Sequence, residues 1–165
     1  MLLDLREIIG VPGGIVPFDY EPDMSEVHFG SIIRIKRPPR AAGNVNNRAG
    51  VLTFSANVDA ICVCVCARCL NEFEYPVHKR IKVYLTEGGE GEDPDAYFLQ
   101  GDKVDINEII VTEFILDMDD RILCRDDCAG LCEHCGSDLN EGPCACKKQI
   151  DPRLAALEML MSDNE

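Results

Sequence analysis

Val51-Leu-Thr-Phe-Ser-Ala-Asn-Val-Asp-Ala-Ile-Cys-Val-Cys-Val-Cys66 separates into two faces at period two. The even positions, Leu52, Phe54, Ala56, Val58, Ala60, Cys62, Cys64 and Cys66, are apolar throughout. The odd positions start polar with Thr53, Ser55, Asn57 and Asp59 and turn apolar with Ile61, Val63 and Val65. Successive side chains of a strand point to opposite faces, so this is a long strand with one core face and a second face covered only at its end. Cys62 and Cys64 share the apolar face and are expected to be buried and unreactive.

Working outward, Phe73 to Leu85 carries Phe73, Tyr75, Val77, Lys79, Ile81, Val83 and Leu85 on odd positions and mostly polar residues between them. That alternation marks a half-buried antiparallel strand, with Cys66-Ala-Arg-Cys69-Leu70-Asn71 as the turn leading into it. On the other side, Val27 to Arg37 reads as a strand closed by Pro38-Pro39, and Gly43 to Gly50 as a turn-rich hairpin loop. Residues 1–26 contain Pro12-Gly13-Gly14, Pro17 and Pro22, which allow only short strands. Residues 87–95 form an acidic, glycine-rich loop. Asp105 and Glu108 stand at N-cap and N3 of a helix near 105–117, whose apolar stripe is Ile106, Ile109, Ile110, Phe114 and Leu116. Asp151-Pro152 opens a short terminal helix with Leu154, Leu157 and Met161 on one side. The fold class is α+β: an antiparallel, partly closed β-sheet, a packing helix, a zinc knuckle and a terminal helix. Residues 1–120 make the β-rich domain and 121–165 the cysteine-rich part.

Ten cysteines in 165 residues call for an explanation. The first residues show no basic start, long apolar stretch or cleavage site, so the expected location is cytoplasmic, where thiols stay reduced and a tight cluster points to metal. The cluster is Cys124-x3-Cys128-x3-Cys132-x2-Cys135-x8-Cys144-x-Cys146. Cys132-Glu-His134-Cys135-Gly136 has knuckle form: two residues between thiols let one tight turn aim both sulfurs at a tetrahedral ion, and Gly136 relieves the backbone beneath them. Cys144 and Cys146 complete a site for one structural zinc, with Cys124 and Cys128 as alternates for either. Uncoordinated core thiols and an iron–sulfur cluster compete for the same six cysteines. His134, inside the knuckle turn, reads as solvent-facing. Cys66-x-x-Cys69 is open to three readings: a redox pair, half of a remote metal site, or a buried structural turn, which is favoured because no helix N-terminus is at hand to activate a thiol.

Nothing in the chain resembles catalytic machinery. The three histidines form no metalloprotease motif, and there is no nucleophile elbow or phosphate loop. An ion saturated by four cysteines has no open position for substrate. No enzyme is expected. The net charge is −14, yet Val27–Lys82 holds nine Lys/Arg against three acids, so this part carries +6 and the remainder −20. Arg34, Lys36, Arg37, Arg40 and Arg48 form an acid-free basic stretch that can neutralise phosphates, and antiparallel pairing adds Arg68, Lys79, Arg80 and Lys82.

Three motifs then occur in a familiar order: Cys66-Ala-Arg68-Cys69-Leu70, Cys128-Ala-Gly-Leu-Cys132-x-x-Cys135-Gly136-x-Asp-Leu-Asn140, and Asp151-Pro-Arg-Leu-x-x-Leu157. The chain resembles the YceD family of large ribosomal RNA accumulation proteins from about Leu3 to Leu160. The resemblance implies a non-enzymatic role in the accumulation or assembly of large-subunit ribosomal RNA. Its partners would be that RNA or a pre-ribosomal large subunit, together with a basic large-subunit ribosomal protein. Some family members keep the Cys-x-Arg-Cys turn and lack the later cysteines, so the resemblance makes Cys66, Arg68, Cys69 and Leu70 the shared functional motif and the zinc a scaffold. Two other functions fit the same sequence: an acidic chaperone for a basic ribosomal protein, and a thiol redox regulator using Cys66 and Cys69. No membrane or small-molecule substrate is expected.

Overall fold

The computed structural model describes residues 1–25, 27, 30–86 and 96–146. The acidic loop 87–95 and the terminal helix expected from Asp151 lie outside the described residues. The elements are β1 (Leu2–Asp4), α1 (Arg6–Ile9), β2 (Ile15–Tyr20), β3 (Ile32–Arg48), β4 (Val51–Val65), β5 (Glu72–Thr86), β6 (Tyr97–Phe98), β7 (Lys103–Asp105) and α2 (Ile106–Leu116). Five strands form one sheet in the order β2-β3-β4-β5-β6, and β1 pairs with β7 in a small second sheet.

The decisive strand has the expected faces. All eight even residues from Leu52 to Cys66 are buried, and Cys62, Cys64 and Cys66 are fully enclosed. Burial pushes the Cys62 thiol up to about 11 and raises that of Cys64, so both stay protonated and inert. Phe54 stacks on Phe18 of β2 with ring centroids 5.1 Å apart. Ile106, Ile109, Ile110 and Phe114 of α2 close the same core. Asp105 caps the helix by accepting from the Asn107 amide at 3.0 Å. Lys79, the one charge on the inward face of β5, is accommodated at the far end of the helix, where its Nζ pairs with Asp117 Oδ2 at 2.9 Å and bonds the Asp117 carbonyl.

Four expectations are corrected. Pro38-Pro39 does not close a strand: β3 runs on to Arg48, with register shifts against β4 around the prolines. β2 pairs only with Ala41–Asn46, so the prolines lie beyond its end, where their missing N–H groups leave no ladder position empty. The hairpin loop expected over Gly43–Gly50 shrinks to Ala49-Gly50, because the asparagines before it are held in the strand. Asn47 is buried, donates to the Ile8 and Ile9 carbonyls at 2.7 and 2.9 Å, and accepts from the Gly50 amide at 2.8 Å. The sheet is neither closed nor purely antiparallel: β2 and β6 are separate edges among the described residues, and β6 runs parallel to β5. Leu116, counted in the helix stripe, is 73% exposed.

Candidate metal centre

Ten free cysteines resolve into two core residues and two groups of four. Cys132, Cys135, Cys144 and Cys146 come together as the spacing requires, all sulfurs within 4.8 Å of one another. Cys124 and Cys128 are not alternates for this group. They converge instead with Cys66 and Cys69, again within 4.8 Å, at the end of the sheet where β4 turns into β5.

The two C-x-x-C turns are built alike. In the inner one the Leu70 amide donates to the Cys66 carbonyl at 3.0 Å, and the Cys66 amide donates to Asn71 O at 3.0 Å. In the outer one the Gly136 amide donates to Cys132 O at 2.8 Å, and the Cys132 amide to Ser137 O at 2.8 Å. The residue after the second cysteine takes a left-handed conformation in both, φ +62° at Leu70 and +72° at Gly136. A knuckle was legible where glycine marks that position and hidden where leucine fills it. The signal available for the inner group was arithmetic: four ligands taken from six later cysteines leave Cys124 and Cys128 over, matching an unplaced C-x-x-C pair.

The groups differ in their surroundings. Cys66, Cys69 and Cys128 are buried and packed with Phe73 and Leu123, while Cys135 and Cys146 are exposed. Burial would raise the Cys66 thiol, but the backbone amides of Cys69, Cys124 and Arg68 outweigh it and hold it at about 6, whereas burial and the facing sulfurs push Cys124 up to about 12. In the outer group the Ser137 hydroxyl and amide draw Cys135 down to about 6, and Cys146 is pushed up to about 12 by Cys135 beside it. Each group thus holds a thiol that ionises easily beside one that resists a second negative charge, the donor set a soft cation completes.

The inner turn is also a docking point. The Ala67 amide donates to Ile122 O at 2.9 Å, Leu131 N to Arg68 O at 3.2 Å, and Arg68 Nη1 to Cys128 O at 2.9 Å. Gly130, at φ +75°, passes so near Arg68 that a Cβ there would stand 3.1 Å from its carbonyl oxygen. Asn140 joins the two groups: Oδ1 accepts from the Ala129 amide at 2.8 Å, while Nδ2 reaches Cys128 Sγ at 3.5 Å. Leu70, the last residue of the expected family motif, is 63% exposed.

The expected basic residues divide. Arg34 pairs with Glu72 at 3.7 Å, Lys36 with Glu74, and Arg40 with Asp19 at 2.5 Å. Arg37, Arg48, Arg80 and Lys82 take part in no ion pair among the described residues. Register places Arg48 beside Val51, Asn46 beside Thr53 and Tyr84, Asn44 beside Ser55 and Lys82, and Ala42 beside Asn57 and Arg80. These side chains share the sheet face opposite the core, with Tyr84 56% exposed and Asn46 Oδ1 buried without a hydrogen-bond partner among the described residues. None of them is acidic.

The family described as large ribosomal RNA subunit accumulation protein YceD matches residues 54–161. A Mycobacterium tuberculosis protein named uncharacterized protein Rv2926c is 34% identical over 126 residues, covering 70% of this chain and 58% of the relative. The chain thus spans little more than half the length of that mycobacterial protein. The Bacillus subtilis protein named uncharacterized protein YlbN is 28% identical over 153 residues, covering 90% of this chain and 89% of its own. No solved structure matches.

Proposed function

From the premise that this chain belongs to the YceD family of large ribosomal RNA subunit accumulation proteins, we propose that it is a non-enzymatic, cytoplasmic factor that supports the accumulation or assembly of large-subunit ribosomal RNA by binding it directly. The observation that carries the reading is an acid-free patch on the outer face of β3–β5 beside the β3–β4 hairpin, with Asp59, Glu72 and Glu74 farther along the same face. Arg48, Arg80 and Lys82 supply phosphate contacts, and Tyr84 offers an aromatic surface on which an unpaired base stacks. Asn44 and Asn57 add amide groups for base edges. Arg34, Lys36 and Arg40 remain secondary contacts, since exposed ion pairs are worth ~0–1 kcal/mol and exchange readily for phosphate. One structural zinc at Cys132, Cys135, Cys144 and Cys146 belongs to this reading as scaffold, a closed tetrathiolate without an open position. No helix of the described residues is long and apolar enough to cross a membrane.

The exposed carboxylates Asp119, Asp120, Asp126, Asp127, Glu133 and Glu141 favour a second function, holding a basic large-subunit ribosomal protein at the opposite end. The triple variant Arg48→Glu, Arg80→Glu, Lys82→Glu separates the two. Lost phosphate contacts should flatten the salt dependence of RNA binding by about 0.7 in log–log slope for each contact on single strands. Unchanged binding of ribosomal RNA at several salt concentrations would remove the RNA reading and leave the chaperone.

A further inference from the structure

Residues 124–146 contain no helix or strand of the described set, and only Cys128 and Gly130 among them are buried. A segment of this length with no apolar core does not hold one conformation unaided and needs a staple. Yet its first half lies against the β4–β5 turn through several hydrogen bonds, and its sulfurs meet those of the turn from 62 and 55 residues away in sequence.

We propose that Cys66, Cys69, Cys124 and Cys128 bind a second zinc ion, an inner structural site that fastens the C-terminal segment to the β-sheet. Geometry sets the class of occupant. A tetrahedral ion with Zn–S bonds of ~2.3 Å places its sulfurs ~3.8 Å apart. Cys66 and Cys128 stand 3.7 Å apart and Cys69 and Cys124 3.8 Å, two opposite edges of such a tetrahedron. An iron–sulfur cluster interposes several atoms between its cysteines and spreads them farther than these four. Among single divalent ions, thiolates hold zinc more tightly than iron(II) or manganese(II).

Arg68 N lies 3.5 Å from Cys66 Sγ, and Asn140 Nδ2 3.5 Å from Cys128 Sγ, donors aimed at sulfurs that carry negative charge once the ion is bound. The left-handed Leu70 is a conformation L-residues hold only when their surroundings impose it, and two sulfurs of one turn fixed on one ion impose it here. Binding is balanced by proton release: four thiols and one Zn²⁺ give a dianionic ZnS₄ centre and four protons. The site rests on its own geometry and stands whether or not the sheet face binds RNA.

The test is metal stoichiometry in the full-length chain, by native mass spectrometry with elemental analysis. The parent should carry two zinc ions, Cys135→Ser/Cys146→Ser one, and Cys66→Ser/Cys69→Ser one. Should the last variant fail to fold, the outer variant still decides. Its remaining ion, exchanged for Co²⁺, should show the tetrahedral d–d bands and thiolate charge transfer of a four-sulfur site. A parent with one zinc or none, an outer variant without metal, or stoichiometric iron or acid-labile sulfide would overturn the proposal.

Discussion

The inner and outer knuckles follow the same backbone plan and sit in opposite environments. One is the buried end of a sheet, in contact with Phe73 and Leu123, and the other is an exposed loop with two of its four cysteines in solvent. An ion at the inner site braces parts of the chain that are distant in sequence. One at the outer site orders a span of 15 residues, Cys132 to Cys146. The same chemistry therefore carries unequal weight, because metal binding becomes folding free energy only for the structure that depends on it. Removing single ligands makes the inequality measurable. Cys69→Ser should cost about 3–5 kcal/mol, which at ~2–4 °C per kcal/mol for a domain of this size lowers the melting temperature by about 6–20 °C. Cys135→Ser should move it by no more than about 3 °C, since the sheet and its core do not rest on that loop. Equal shifts in thermal melts followed by circular dichroism, with zinc in excess, would break the comparison.

The bridge between the knuckles sharpens it. Asn140 belongs in sequence to the outer loop, yet its side chain serves the inner site, accepting from Ala129 N and Arg125 Nη2 and reaching Cys128 Sγ. Asn140→Ala leaves the exposed Ala129 amide without its acceptor and the part-buried Cys128 sulfur without a donor, an expected cost of about 0.5–1.5 kcal/mol. Urea unfolding should register it as a lower midpoint with an unchanged slope. An altered slope would mean that the loop had detached altogether and that Asn140, not the inner ion, holds it in place.

What could be read in advance follows the range of the interactions involved. Period-two alternation revealed both faces of β4 and β5, because burial on one side of a sheet imprints itself on neighbouring residues. The outer knuckle was legible for the same reason, its ligands lying within 15 residues and its glycine marking the turn. Pro38-Pro39 and Asn44–Asn47 misled because their local preferences are overruled by distant partners: the short reach of β2 for the first, and the Ile8 and Ile9 carbonyls for the second. The inner site needs two residues from the β4–β5 turn and two from the segment after α2, and no local pattern announces that they meet. The basic face was half legible, since the charges are plain in the sequence while the ion pairs that engage Arg34, Lys36 and Arg40 depend on register.

The smallest expected effect tests the likeness of the two turns at the one position where they differ chemically. Leu70 holds φ +62° with its side chain 63% exposed, so it contributes little packing and bears the Cβ–carbonyl crowding of the left-handed region. That crowding costs about 1–2 kcal/mol relative to glycine, offset in part by the larger entropy a glycine loses on folding, about 0.5–1 kcal/mol. Leu70→Gly should therefore be neutral or stabilising by up to about 1.5 kcal/mol. Gly136→Leu, at φ +72° and with open space where its Cβ would stand, should destabilise the outer loop by about the same amount through backbone strain alone. Opposite signs in the two exchanges, read for the inner turn as the chemical-denaturation midpoint and for the outer as the rate of zinc release to a chelator, would establish that one backbone geometry underlies both. Destabilisation by Leu70→Gly would mean instead that the leucine side chain packs within the chain, or that the entropy a glycine loses outweighs the strain it relieves.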